Sequence, residues 1–73
     1  VDIRIVIREA LLCNATIIAF CHNHPSGSPQ PSRDDHNLTE KLAAACKTMR
    51  IFFADHVIIA DNLYYSYREE GRI

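Results

Sequence analysis

At 73 residues, 48% apolar and with a formal charge of −1, the chain can bury one small core, which excludes disorder and leaves no electrostatic footprint for nucleic acid. No run approaches the roughly 20 apolar residues of a membrane helix, and no basic-then-apolar leader opens the chain, as a domain cut from a longer protein would also lack one. Cys13, Cys21 and Cys46 are odd in number and scattered, the usage of reduced thiols in a cytosolic protein rather than of a disulfide framework.

Asp2 is an N-cap, and Ile3, Val6, Ile7, Ala10 and Leu11 recur at helical spacing after it, which predicts a first helix over 3–13. Asn14, a residue that tolerates the left-handed conformation, stops it. The run Thr16-Ile17-Ile18-Ala19-Phe20-Cys21 is apolar, β-branched and too short for a helix, so it reads as a central strand buried on both faces. Ser32 caps a second helix, with Asp35 in the reciprocal position of a capping box. Leu38, Leu42, Ala45, Cys46 and Met49 form its buried stripe, and His36 points to the far side. Lys41, Lys47 and Arg50 read as a solvated face of the same helix. Residues 51–60 form a second strand, Asp61-Asn62 a turn, and 63–67 a third strand closing a hairpin. The polar tail 68–73 is peripheral. The expected class is α/β, a layered sandwich with helices against a mixed sheet in the order α-β-α-β-β.

His22-Asn23-His24-Pro25 stands where the first strand ends. A one-residue gap puts both imidazoles on one side of extended backbone, and alternation sends Cys21 to the other side, into packing. A carboxylate at Asp35 completes three ligands of the type zinc accepts, and catalytic zinc sites keep three protein ligands and an open position. The loop between them, Pro25-Ser26-Gly27-Ser28-Pro29-Gln30-Pro31, is stiffened by three prolines and opened by one glycine, which suits a preorganised site. On a helical wheel Asp35 lies only slightly closer to the buried stripe than Asp34. Asp55-His56 is a second polar pair inside an apolar strand, read as buried groups that satisfy neighbouring loops. Glu9 lies on the solvent side of the first helix and is not a candidate base.

His22-x-His24-Pro25 followed by Ser32 and Asp35 resembles the JAMM (JAB/MPN) metallopeptidase motif. Ser26-Gly27, Pro31-Ser32, Arg8-Glu9-Ala10-Leu11, Asp55-His56 and Ser66 narrow the resemblance to its bacterial RadC-like branch, over nearly the whole chain. The resemblance implies a JAB/MPN-like fold, of which residues 1–73 are the C-terminal part. It implies a zinc ion on His22, His24 and Asp35, and it settles the choice of Asp35 over Asp34. It implies that Ser32 is catalytic, polarising the substrate carbonyl or stabilising the oxyanion. The family's catalytic glutamate lies on an upstream strand that this chain begins too late to contain. The expected function is a bacterial cytoplasmic zinc peptidase or isopeptidase domain acting on a peptide or protein, with no membrane partner. The alternative is a non-enzymatic JAMM-fold scaffold or DNA-repair accessory module, nucleic acid entering by the family's label alone. The contiguous His-Asn-His is not the dispersed residue set of HNH endonucleases. The isolated chain is expected to self-associate through apolar faces around Ile17, Ile18, Phe52 and Phe53.

Overall fold

A computed structural model describes residues 1–73 as α1 (Ile3–Leu12), β1 (Ile17–Asn23), α2 (Arg33–Thr48), β2 (Phe52–Ala60) and β3 (Leu63–Ser66). The strands lie in the order β1-β2-β3, with β1 parallel to β2 and β3 antiparallel to it. This is the mixed α/β arrangement the sequence predicts. The Asp61-Asn62 turn joins β2 to β3, with Asp61 at φ 52°.

Both helices are closed by local chemistry at each end. The Asp2 carboxylate accepts from Arg4 N–H, and Ser32 and Asp35 complete the capping box of α2. Each C-terminus is a Schellman motif. At α1, Ala15 N–H donates to Ala10 C=O at 2.8 Å while Asn14 takes φ 55°. At α2, Ile51 N–H donates to Cys46 C=O at 2.8 Å while Arg50 takes φ 57°. The two motifs turn the chain directly into β1 and β2, and they bring Ile51 into the core beside Cys46.

That core joins Ala10, Leu42, Cys46, Ile51 and Phe53, with Val6, Ile7, Ile18 and Phe20 packed around it. The buried line of α2 runs through Asp35, Thr39, Leu42 and Cys46. Leu38 and Ala45 flank it half-buried, while Met49, and Leu11 on α1, are exposed.

The reading of β1 is corrected. β1 is not a central strand buried on both faces: it is an edge of this sheet, and β2 is central. Residues Ile17, Ala19, Cys21 and Asn23 are exposed in alternation with the half-buried Ile18, Phe20 and His22. Cys21 thus points away from His22, but into the open. The tail 68–73 is exposed over residues 68–72, as expected, yet it is tied to the sheet. Tyr67 is fully buried, Ile73 packs on the core, and Arg68 donates from its guanidinium to the carbonyls of Ala54 and Phe53 at 2.5 and 2.8 Å. β3 is too short to reach those carbonyls, so Arg68 takes the place of the missing ladder.

The β1–β2 register slips between Ile18 and Ala19: Ile18 pairs with Phe53 and Ala19 with Asp55, so Ala54 is the extra residue of a bulge. The slip reverses the phase of β2. Phe53 and His56 therefore share the buried face three positions apart, followed by Ile58 and Ala60.

Ile17 and Phe52 are 61% and 56% exposed, and Ile59, Leu63 and Tyr64 add further apolar surface. An exposed apolar face beside a free strand edge is a template for association. The chain alone is expected to form dimers or larger species in light scattering at high concentration, and Ile17→Lys/Phe52→Lys to shift them to monomer. A monodisperse wild-type monomer counts against this. A separate expectation concerns Arg50, whose left-handed backbone strains any residue with a Cβ. Arg50→Gly is expected to stabilise the chain by up to about 1 kcal/mol in urea unfolding, and a loss of stability is the contrary result.

Candidate metal centre

β1 stays extended through Asn23, and His24 N–H donates to Ile59 C=O at 2.9 Å, continuing the pairing one residue beyond the strand. This carries the alternation of β1 through both histidines, whose ring centroids lie 4.9 Å apart on one side. Across from them the first turn of α2 presents Asp35. His22 Nε2 lies 3.3 Å from Asp35 Oδ1, and His24 Nε2 lies 3.0 Å from Asp35 Oδ2. The Asp35 side chain is only 11% exposed, those of His22 and His24 25% and 18%. Asp34 does not join them; it lines a cavity of about 500 Å³ with His22, Asp35, Leu38 and Lys41, open beside the cluster.

Asp35 is bound in place. Ser32 N–H donates to its Oδ2 at 2.8 Å, and Asp35 N–H donates to Ser32 Oγ at 3.1 Å. Burial alone raises the carboxyl pKa. The Ser32 hydrogen bonds and the nearby imidazoles outweigh it, so the net shift is below the ordinary 3.8 and the group is ionised near neutrality.

His24 is oriented by the loop. Its Nδ1 lies 3.1 Å from Ser28 C=O. A carbonyl only accepts, so Nδ1 carries a proton, and in the neutral ring the lone pair is then on Nε2, facing the Asp35 carboxylate. Two acceptors 3.0 Å apart repel unless a cation lies between or beside them. A shared proton or a metal ion satisfies this, and the donor set, two imidazoles and a carboxylate with their ligand atoms within 4.8 Å of one another, is one divalent transition metals accept. Gly27 gives the loop its bend at φ 81°. A Cβ there would stand 3.1 Å from Asp61 Oδ2, so the loop rests against the β2–β3 turn.

Every residue the motif singles out is thus brought together: His22, His24 and Asp35 as facing donors, Ser32 as the cap that holds Asp35. Glu9 is exposed on α1, 3.6 Å from Arg8, and is not part of the cluster. His36 meets Tyr67 OH at 3.0 Å on the other flank of α2.

Sequence reasoning undervalued His56. It is fully buried and touches His22, its Nε2 lying 3.0 Å from His22 Nδ1. Its neighbour Asp55 turns the other way, accepting from its own His56 N–H, from Arg68 N–H and from the Ser66 hydroxyl, and so ties β2 to the tail. The bulge at Ala54 parts the pair in this way. Four histidines in 73 residues, one of them beside Asp55 inside an apolar strand, were the available signal.

The family model described as the RadC-like JAB domain matches residues 1–72. The chain belongs to the RadC-like JAB domain family. It is 46% identical over 67 residues to a UPF0758 protein of Haemophilus ducreyi, covering 92% of this chain and 30% of that protein. A UPF0758 protein of Streptococcus gordonii is 48% identical and one of Clostridium perfringens 49%, with the same coverage of each chain. The chain therefore spans about a third of the length of these relatives. No helix is long and apolar enough to cross a membrane.

Burial pushes the His56 imidazole below its ordinary 6.5, and the neighbouring His22 adds to the effect. A depressed value means that the unfolded chain binds the proton first as the pH falls. The stability this group contributes is present above 6.5 and is lost as the pH drops from there towards the folded value. In urea unfolding of the metal-free chain from about pH 7.5 to about pH 5, the stability gap between wild type and His56→Gln is expected to narrow. A gap that stays constant across that range refutes it.

Proposed function

We propose that His22, His24 and Asp35 bind one zinc ion, and that the longer protein carrying this chain is a bacterial cytosolic zinc metallopeptidase or isopeptidase. The observation that carries this reading is the convergence of two Nε2 atoms on the Asp35 carboxylate, with His24 held so that its lone pair faces inward. Three protein donors leave a coordination position open, as catalytic zinc sites do and closed structural sites do not. A zinc ion there supplies Lewis acidity, which brings the pKa of water towards neutrality and polarises a carbonyl.

The chain's own residues supply the frame. Asp35 is kept ionised by Ser32, and His24 is kept in one tautomer by Ser28. The Ser32 oxygen accepts from Asp35 N–H, which leaves the hydroxyl proton to donate towards a carbonyl oxygen as negative charge develops on it. Capping and catalysis are compatible in one hydroxyl. The cavity beside His22 offers a substrate segment room along α2, past Asp34 and Lys41. We assign the general base to a glutamate outside these 73 residues, as in the metallopeptidases the motif resembles, since Glu9 and Asp34 are exposed and neither is among the facing side chains. The three free cysteines accord with a reducing compartment.

The test begins with metal content. The full-length protein purified without chelator is expected to hold one zinc per chain, and His22→Ala/His24→Ala to hold none. Equal stoichiometry in both sinks the metal assignment. Hydrolysis of peptide or isopeptide substrates by the full-length protein is expected to be abolished by chelators and by Asp35→Ala, and Ser32→Ala to lower turnover more than zinc content. A missing general base costs about a hundred- to ten-thousand-fold, so the 73-residue chain alone is expected to be inactive. Chelator-sensitive hydrolysis by that chain overturns the assignment of the base and points to Asp34.

A further inference from the structure

Behind His22 runs a chain of hydrogen bonds that the hydrolytic reading leaves unused. Thr39 Oγ1 lies 2.8 Å from the backbone carbonyl of Asp35 and 2.5 Å from His56 Nδ1, and His56 Nε2 lies 3.0 Å from His22 Nδ1. Thr39 and His56 are 3% and 0% exposed, so solvent does not offer either of them a substitute partner.

The direction of every bond follows from the first. A carbonyl oxygen only accepts, so the single hydroxyl proton of Thr39 is committed to Asp35. The Thr39 oxygen then accepts from His56, which places the His56 proton on Nδ1. A neutral imidazole protonated there carries its lone pair on Nε2, so His56 accepts in turn and His22 Nδ1 donates. Protonated on Nδ1, the neutral His22 ring carries its one nitrogen lone pair on Nε2, the nitrogen that faces Asp35 Oδ1.

We propose that Thr39 and His56 are positioning residues: together they hold His22 in the Nδ1–H tautomer and aim its Nε2 lone pair at the metal position. The proposal rests on the reading of His22 as a ligand. The relay is anchored at the backbone of the same residue whose carboxylate stands opposite His22, so one turn of α2 supplies a ligand and also orients its neighbour. The His56 ring is clamped to this task. Tyr67 stacks on it at 4.8 Å with planes 6° apart, and Phe20 meets it edge-on at 5.1 Å. Metal-bound histidines generally give their second N–H to a carboxylate or a carbonyl. Here a buried neutral imidazole takes that place, and no second charge is brought under the site.

The experiment reads protons on nitrogens. Long-range proton–nitrogen correlation spectra of the full chain, labelled with 15N-histidine, report which ring nitrogen of each histidine is protonated. Competition with a chromophoric chelator gives the affinity for zinc alone. His56 is expected to carry its proton on Nδ1 and His22 on Nδ1, with the His22 Nε2 signal moving when zinc is added. Thr39→Val removes the hydroxyl at nearly constant shape. It is expected to release His56 from its single tautomer and to weaken zinc binding roughly ten- to a hundredfold. Thr39→Ser restores the hydroxyl and is expected to recover both readouts. A folded Thr39→Val chain with wild-type zinc affinity and an unchanged His56 tautomer overturns the proposal. So does wild-type His56 protonated on Nε2, a result that decides the matter even where Thr39→Val does not fold. A wild-type chain that takes up no zinc overturns the metal reading instead, while the tautomers in the metal-free chain still decide the relay.

Discussion

The carboxylate of Asp35 is the constraint on which the rest of the site depends. It closes the N-terminus of α2 through Ser32, faces both imidazoles, and sits over the backbone carbonyl that anchors Thr39. A buried anion of this kind is costly unless every lone pair finds a donor or a cation. Ser32 N–H satisfies part of that requirement. The remainder is directed at two nitrogens, Nε2 of His22 and Nε2 of His24, and this leaves a position that suits a cation.

The support around this carboxylate comes from elements that do not bend easily. His22 is held within a parallel ladder that runs without interruption from Ala19 to Asn23, and His24 by its bond to Ile59 just beyond it. The loop that returns to α2 carries its three prolines and rests on the β2–β3 turn at Gly27. Ligand positions fixed in advance lower the reorganisation needed when an ion arrives. The buried core of Leu42, Cys46, Ile51 and Phe53 then fixes α2 against the sheet, which sets the distance between Asp35 and the histidines.

The opposite face of the sheet has no such cover in this chain. Ile17, Phe52 and Ile59 stand open there, and β1 offers an unpaired edge. The chain spans about 30% of the length of its curated relatives. The two faces differ accordingly. The helix-covered face carries the histidines and their supports, and the open face carries the apolar surface from which association is expected.

Much of this was legible in the residues themselves. The capping box of Ser32 and Asp35, the apolar run of β1, the one-residue gap between His22 and His24 and the turn at Asp61-Asn62 are local patterns, and local patterns are set by neighbours within a few positions. The resemblance to the RadC-like branch added the choice of Asp35 over Asp34, which helical periodicity left nearly even. The solvent-exposed alternation of β1 and the docking of Tyr67 and Arg68 were not legible, because burial depends on which elements lie beside a strand. The role of His56 was hidden for a sharper reason. Period-two alternation from Phe53 would send Asp55, not His56, to the buried face, and a single extra residue at Ala54 inverts that phase. A bulge is a property of two paired strands, so only the folded sheet decided which of the two polar neighbours would lie against His22.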